Sequence, residues 1–494
     1  MMKNFTLLLF LLCMAFAFNA NASHEYGAAI TYQNISPNVY KVDYHYIRFC
    51  NTINIQSVIL SYRAPGCTSA GGNVTLQQVS STPSGLYAPG APTTCASASN
   101  TLVDYETLTF SGIVTLPDTC SNWILSVRET TRGGSVNLGN VSGAAPVYVE
   151  AMINNLNGIA NSSPQFFQSP VAVLPQHQLS ILNYGVFDAE GDSLVYSLQS
   201  TESDYQVPHA YSTGFSAQQP FGPNANPGFS ISPYDGTIKV QPTVFNTGSG
   251  GNQFYNNLYY VGIRVDEYRK INGNYVKIGH SRSDIPYWVV SGVNNQPPTL
   301  MPIVNNNTNY TSGDVIDIAA GAPVTLQLRA ADPDVANQLS FISNYDQVLN
   351  GATSSVSGSS ANPTLTINWT PSVADIREQP YFISIDVKDN AQLNGRTNHT
   401  IGLRVRQVTG VADKIEVNSP LVPGLLVRGQ QFILDRQLEG AQVQILSAQG
   451  QVVKQYNQYQ NQWTGEGLAS GIYFYKITKP ENGKSYAGKL LLTQ

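Results

Sequence analysis

Short stretches in which apolar and polar residues alternate, each ended by a turn rich in glycine, proline or asparagine, recur along the chain, and long helical patterns are missing throughout. Val39-Tyr-Lys-Val-Asp-Tyr-His-Tyr-Ile-Arg-Phe49 is the clearest of them. Side chains of extended backbone point alternately to opposite sides, so Tyr40, Val42, Tyr44 and Tyr46 fall on one face of a strand. Leu108–Leu116 and Trp123–Thr130 are further strand candidates, separated by Pro117-Asp118 and Cys120. With 494 residues, three or four domains are the natural expectation. The fold class expected is all-β, a tandem series of β-sandwich domains.

Composition supports this reading. The chain has 28 Tyr, 41 Gly and 28 Pro, and only 12% of its residues are charged, about half the usual share. Tyrosine and threonine favour strands, while glycine, proline and asparagine favour the turns between them. A formal net charge of −5 without a basic block argues against nucleic acid or anionic lipid as a partner.

The N-terminus carries the marks of export. Lys3 supplies a positive start, Phe5 to Phe18 is continuously apolar, and Ala20-Asn-Ala22 is a small-x-small cleavage site before Ser23. Residues 1–22 are therefore expected to be a signal peptide. Cys13 belongs to that segment, since Leu12 stands where a lipoprotein signal needs a small residue. No later segment is long and apolar enough to cross a bilayer as a helix, so no transmembrane segment is expected after signal removal.

Four cysteines remain, Cys50, Cys67, Cys95 and Cys120, confined to the first domain. An even count in an exported chain points to two disulfides, with three possible connectivities. The expectation leans to Cys50–Cys67 and Cys95–Cys120, which close the shorter loops. A zinc site is the rival, but no Cys-x-x-Cys is present and the nearby histidines are only His24 and His45.

The C-terminal stretch is strand-turn-strand writing: Ala441–Gly450, then Trp463–Ile477, then Ala487–Gln494. It resembles the type A C-terminal sorting domain of the type IX secretion system of gliding bacteria. The residues that carry the likeness are Gly450, Leu468, Gly471, Tyr473, Tyr475, Ile477, Gly488, Lys489 and Leu490. Where that family usually opens with Pro-Asn-Pro, this chain reads Asn418-Ser-Pro-Leu-Val-Pro-Gly424. The resemblance implies a small β-sandwich read as an export tag by the secretion machinery.

A second resemblance covers the start of the mature chain. His24, Gly27, Ile30-Thr-Tyr32, Tyr46-Ile-Arg-Phe-Cys50, Gly112–Pro117, Cys120-Ser-Asn-Trp123 and Tyr148-Val-Glu150 look like the beginning of large secreted, gliding-motility-associated surface proteins. Those proteins usually carry Arg-Asp-Cys, where Phe49 replaces the acid here. Surface display and adhesion are what this likeness implies.

Between the two lies an approximate repeat. One copy opens at Asn161-Ser-Ser-Pro164 and the next at Asn294-Asn-Gln-Pro297. Each continues with an acidic turn running into a strand, a middle strand, and a late strand: Tyr259–Asp266 in the first copy, Tyr381–Val387 in the second. The pattern resembles immunoglobulin-like and cadherin-like tandem domains. The divisions expected are 23–158, a disulfide-containing β domain; 159–292 and 293–409, two sandwiches; and 410–494, the sorting domain.

The sharpest candidate for chemistry is calcium. Asp188, Glu190 and Asp192 alternate across a glycine-containing turn, and Asp332 with Asp334 begins the same pattern. Calcium takes six to eight hard oxygens, which such turns can supply. The plainer reading is that aspartate and glycine simply make turns.

Catalytic motifs are missing. No Gly-x-Ser-x-Gly, His-Glu-x-x-His or P-loop occurs; Ser23-His-Glu25 lacks a second histidine, and Gly139-Asn-Val-Ser-Gly143 has the wrong spacing. Only a pair of carboxylates joined by folding would make a glycosidase. His177, His209, His280 and His399 are scattered and read as surface or loop residues. Tyr205, Tyr211, Phe215, Phe221 and Phe229 would stack on sugars if exposed, or form a local core under a long loop. Trp123, Trp288, Trp369 and Trp463 are spread as one anchor per domain. The chain thus reads as a secreted or cell-surface, non-enzymatic, adhesin-like or structural protein with an extracellular protein or glycan ligand. The alternative is a carbohydrate- or polymer-binding accessory protein. No cofactor beyond calcium is expected.

Overall fold

The computed structural model describes residues 25–49, 55–67, 71–83, 105–139, 145–247, 255–391, 393, 395–407, 415–417, 422–435, 438–448, 450–479 and 485–494. The proposed signal peptide, Cys50 and Cys95 lie outside them. The chain divides into two compact units, residues 1–407 and 408–494.

Seven strands open the larger unit: β1 (Glu25–Ser36), β2 (Val39–Phe49), β3 (Ser57–Arg63), β4 (Gly71–Pro83), β5 (Tyr105–Thr115), β6 (Trp123–Arg132) and β7 (Ala145–Ile153). Short strands follow: β8 (Ala172–Pro175), β9 (Ser180–Leu182), β10 (Ser193–Gln199), β11 (Glu202–Asp204), β12 (Val207–Pro208), β13 (Ser230–Ile231) and β14 (Ile238–Val240). Then comes a long hairpin, β15 (Leu258–Ile271) and β16 (Asn274–Val290).

Hydrogen bonding runs β1-β2-β5-β4-β3-β6-β7-β16 and back to β1, a closed circuit of strands. One core is drawn from β1 to β7, and it includes the expected Tyr40, Val42, Tyr44 and Tyr46 together with Trp123. The circuit crosses the 158/159 division, because β16 pairs with β7 through Gly279–Arg282 and with β1 at Asp284. A second core forms between the β10-β15-β16-β8 strands and the three-stranded sheet β13-β14-β9.

The hairpin serves both neighbours. Tyr259, Val261 and Ile263 of β15, with Ile285, Tyr287 and Val289 of β16, face the second core. Leu258, Tyr260 and Trp288 point the other way, into a cluster with Tyr26, Ile47 and Tyr105. Trp288 meets Tyr26 edge-on at 5.4 Å and stacks on Tyr105 at 5.9 Å.

Cys67 is bonded to Cys120, with Cα atoms 5.9 Å apart, which corrects both expected pairings. Loop length does not decide the partner; strand adjacency does. Cys67 follows β3 and Cys120 precedes β6, and these strands are antiparallel neighbours with Arg63 opposite Ile124.

The next sandwich comprises β17 (Thr299–Leu300), β18 (Ile303–Asn305), β19 (Thr308–Tyr310), β20 (Val315–Ala319), β21 (Val324–Ala331), β22 (Ser340–Ser343), β23 (Thr353–Ser359), β24 (Asn362–Trp369), β25 (Tyr381–Lys388) and β26 (Arg396–Arg406). One sheet runs β19-β18-β21-β24-β23 and the other β20-β26-β25-β22. Between them lies a core that includes Leu326, Leu328, Ile367, Trp369, Ile383 and Leu403. Strict alternation along β21 decides which residues enter it: Val324, Leu326, Leu328 and Ala330 are buried and their neighbours exposed.

The smaller unit has β27 (Ile415–Val417), β28 (Leu425–Val427), β29 (Gln442–Leu446), β30 (Val452–Tyr456), β31 (Gly471–Thr478) and β32 (Ser485–Thr493). They form one sheet, β27-β32-β31-β29-β30, with β28 also pairing β32. Its core includes Phe432, Tyr459, Trp463, Tyr475, Ile477 and Leu490. Each tryptophan is therefore a core residue, as expected. Phe221 and Phe229 are core residues too, stacked at 5.8 Å, so these aromatics are not a sugar platform.

Two histidines need correction. His280 and His399 are buried, not on the surface, because they sit within the central strands β16 and β26. His280 meets Glu150 of β7 at 3.1 Å, and Tyr148 donates to the other Glu150 oxygen at 2.7 Å.

Candidate functional site

The turn between residues 187 and 193 brings the carboxylates of Asp188, Glu190 and Asp192 together, with one oxygen of each within 4.8 Å of the others. The local cause is the turn itself. Asp192 donates its backbone N–H to Asp188 Oδ1 at 2.7 Å, and Gly191 takes φ +82°, a conformation that side-chain-bearing residues resist. A Cβ on Gly191 would also overlap Arg377 of the next sandwich.

Sequence reading missed Glu267, which lies near the end of β15 and is fully buried. Gly279 on the paired β16 leaves room for it, since a Cβ there would overlap Glu267 Oε2. Asn161 donates to Glu267 Oε2 at 3.2 Å. Asp188 Oδ2 and Glu267 Oε1 are buried with no N–H or hydroxyl donor beside them, and the two carboxyl groups lie within hydrogen-bonding reach of each other. Burial, and then the charges of Asp192 and Glu190, push the Asp188 carboxyl up to about 6. Burial first, and then Asp188, hold Glu267 well above the usual carboxyl range.

Compensating cations come from two directions. Arg269 of β15 holds Asp192 and also donates to Ala160 O and Asn161 Oδ1. Arg377 lies over the Tyr381 ring at 3.4 Å and donates to Gln379 O and Pro380 O. The turn and the 374–382 segment line a cleft of about 550 Å³, together with Asp346 and Tyr234. Both carboxylate oxygens of Asp192 are taken by Arg269, whereas Asp188, Glu190 and Glu267 retain oxygens that a cation could use. The donor set, all oxygen and partly unsatisfied, fits a hard divalent ion.

In the second copy Asp332 and Asp334 make local turn bonds, and among the described residues they are not gathered into a comparable three-carboxylate cluster. Asp332 Oδ1 accepts from Asp334 N at 2.7 Å, and Asp334 Oδ2 accepts from Gln296 N at 2.8 Å. Asp389, also missed, accepts from Asn295 at 2.7 Å and from the N–H groups of Ala391 and Gly395 at 3.0 Å. The signal was present in the repeat itself. Glu267 and Asp389 each fall two residues after the valine near the end of the late strand, Val265 and Val387. The sequence reading stopped one residue short of the first and two short of the second.

Polar contacts join the two sandwiches nearby. Gln168 donates to Asp386 at 2.7 Å, Asn183 to Thr400 Oγ1 at 3.0 Å, and Asn344 to Gly185 O at 3.1 Å. Lys270 pairs with Glu378 at 2.6 Å.

In the tail, Gly450 takes φ +83° in the turn between β29 and β30. Gly471 opens β31; Tyr475 is buried and Tyr473 packs against the same core. Gly488 and Lys489 lie on β32 opposite Tyr475 and Phe474.

Residues 429–492 match the family model of the Secretion system C-terminal sorting domain. The chain thus carries a type IX sorting domain and is exported to the cell surface or the extracellular space. No curated protein matches the chain. Solved structures that resemble it include titin domains I67–I69 (10% identity, 67% of this chain and 99% of that one, TM-score 0.17). The eight N-terminal Ig domains of Down Syndrome Cell Adhesion Molecule give 13%, 95% and 50%, with a TM-score of 0.17. The human Desmocollin-1 ectodomain gives 12%, 89% and 76%, with a TM-score of 0.16. Scores this low carry no argument about function. Among the described residues, no helix is long and apolar enough to cross a membrane.

Proposed function

We propose that this chain is a non-enzymatic surface protein whose β-sandwiches hold a binding face away from the cell, in an adhesive or structural role. The observation that carries the reading is the sorting domain at 429–492, preceded by a body built of β-sheet cores. Export presents that body outside, and sandwiches packed through polar contacts suit a spacer. A part in gliding motility rests on the wording of the first domain alone. Calcium belongs to the proposal at Asp188 and Glu190, with Glu267 completing the set and Asp192 held by Arg269; Asp332 and Asp334, with Asp389, form the second candidate. The ion would neutralise carboxylates beside the contact between sandwiches and stiffen it.

Fractionation of cells making the protein with and without residues 411–494 tests the export reading. Loss of surface and secreted material from the truncated chain supports it; unchanged distribution ends it. The exposed Tyr234 at the mouth of the acidic cleft favours a second reading, polymer or glycan binding. A glycan array probed with residues 23–408 separates the two: specific sugar binding supports the second, its absence leaves the first.

A further inference from the structure

The tail sheet has an outer face as well as a core face, and its register fixes what lies there. Along β31 the pattern puts Tyr475 and Ile477 inward and Ile472 and Phe474 outward. Ile472 is opposite Leu491 of β32, and Leu491 is opposite Leu425 of β28. Phe474 is opposite Leu446 of β29, which is opposite Val452 of β30. Side chains of directly opposed residues share a face, so one apolar band crosses five strands at one end of the sheet. Ile472, Phe474, Leu491, Leu425 and Val452 are each between 41 and 55% exposed.

The other end of the same face is different. Lys476 is opposite Gln444, which is opposite Gln455. The next row pairs Thr478 with Gln442 and with Ser485. Lys476, opposite Gln444, brings positive charge to the border of the band. A sheet needs only one apolar face to build its core, and contiguous exposed apolar surface bordered by polar residues marks an interaction site.

We propose that this band is the surface by which the sorting domain docks on its export machinery, the partner presenting an apolar patch with an acidic rim. The proposal rests on the assignment of residues 429–492 as a sorting domain. That assignment requires a surface to be recognised, and the band, with Lys476 beside it, specifies which one and with what charge. Charge at the rim guides encounter, while the buried apolar centre supplies the affinity.

The test uses the full-length protein in a bacterium that carries type IX machinery. Ile472→Gln with Phe474→Gln is expected to lower exported protein about tenfold, the effect of losing ~1.4 kcal/mol of docking free energy. Gln444→Ser with Gln455→Ser is expected to leave export unchanged. Both positions are outside the core, so the purified variants should melt with the parent. A photo-crosslinking residue at Phe474, which leaves folding untouched, should capture a component of the secretion machinery, and one at Gln444 should not. Normal export of the Ile472/Phe474 variant, alongside blocked export of a chain lacking 411–494, overturns the docking surface and leaves the sorting assignment intact. Normal export of the truncated chain overturns both. Crosslinking from Phe474 to a second copy of this protein or to lipid also overturns the proposal.

Discussion

Arg269 donates to both carboxylate oxygens of Asp192, from Nε at 2.8 Å and from Nη2 at 2.5 Å. One member of the acidic turn is thereby already neutralised by the protein. A bound cation would lean on Asp188, Glu190 and the buried Glu267.

Calcium should therefore raise the melting temperature of the mature protein, by the equivalent of about 2.7 kcal/mol at a hundredfold excess over Kd. Glu267→Gln should weaken that response, while Arg269→Lys should keep it. Differential scanning calorimetry with calcium and with chelator decides; identical melting in both removes calcium from the account.

Cys67→Ser should destabilise the first core, because the bond to Cys120 closes 53 residues of chain. Chain entropy puts the loss at about 4 kcal/mol. Urea unfolding gives the magnitude, and a non-reducing peptide map checks the pairing.

His399 makes acid stability pH-dependent. Burial holds its imidazole down to about 4, with Asp314 and the Thr311 backbone opposing. The folded state resists a proton that the unfolded chain accepts near 6.5, so stability is full above that value and is lost as pH falls toward 4. The loss approaches about 3 kcal/mol at pH 4. His399→Gln should flatten that part of the stability profile measured between pH 7 and pH 4; an unchanged slope would assign it to other groups.

Gly191→Ala places a side chain at positive φ and against Arg377. The conformation alone costs about 1–3 kcal/mol. Hydrogen exchange should speed in the 374–382 segment as well as in the turn, since Arg377 must move.

Trp288→Ala empties the cluster that joins Tyr26 and Tyr105 to the hairpin. A loss of about 3–5 kcal/mol is expected. Thermal unfolding monitored separately in the two neighbouring cores should shift together.

Strand content and the inward tyrosines of β2 were legible because alternation is local: the period of extended backbone decides the face, whatever the partner strand. The tail was legible for the same reason, with Tyr475 and Ile477 buried as their spacing implies. Pairing between distant strands was not. Nothing local in Trp288 or His280 says that β16 lies between two cores, and both faces of such a strand are apolar or internally paired. The same blindness produced the wrong disulfide partners, since β4 and β5 separate β3 from β6 in sequence while the sheet pairs them directly. Of the acidic site, the turn residues were visible as a cluster in sequence. Glu267, 75 residues beyond Asp192, was joined to it only by the fold (267 minus 192).

A hairpin that belongs to two cores leaves no slack joint between them. Tension applied across these two cores of the larger unit would have to shear β16 away from β7 and β1, breaking several backbone hydrogen bonds at once, before either core could extend. Under load, the first element to yield should therefore be found elsewhere along the chain.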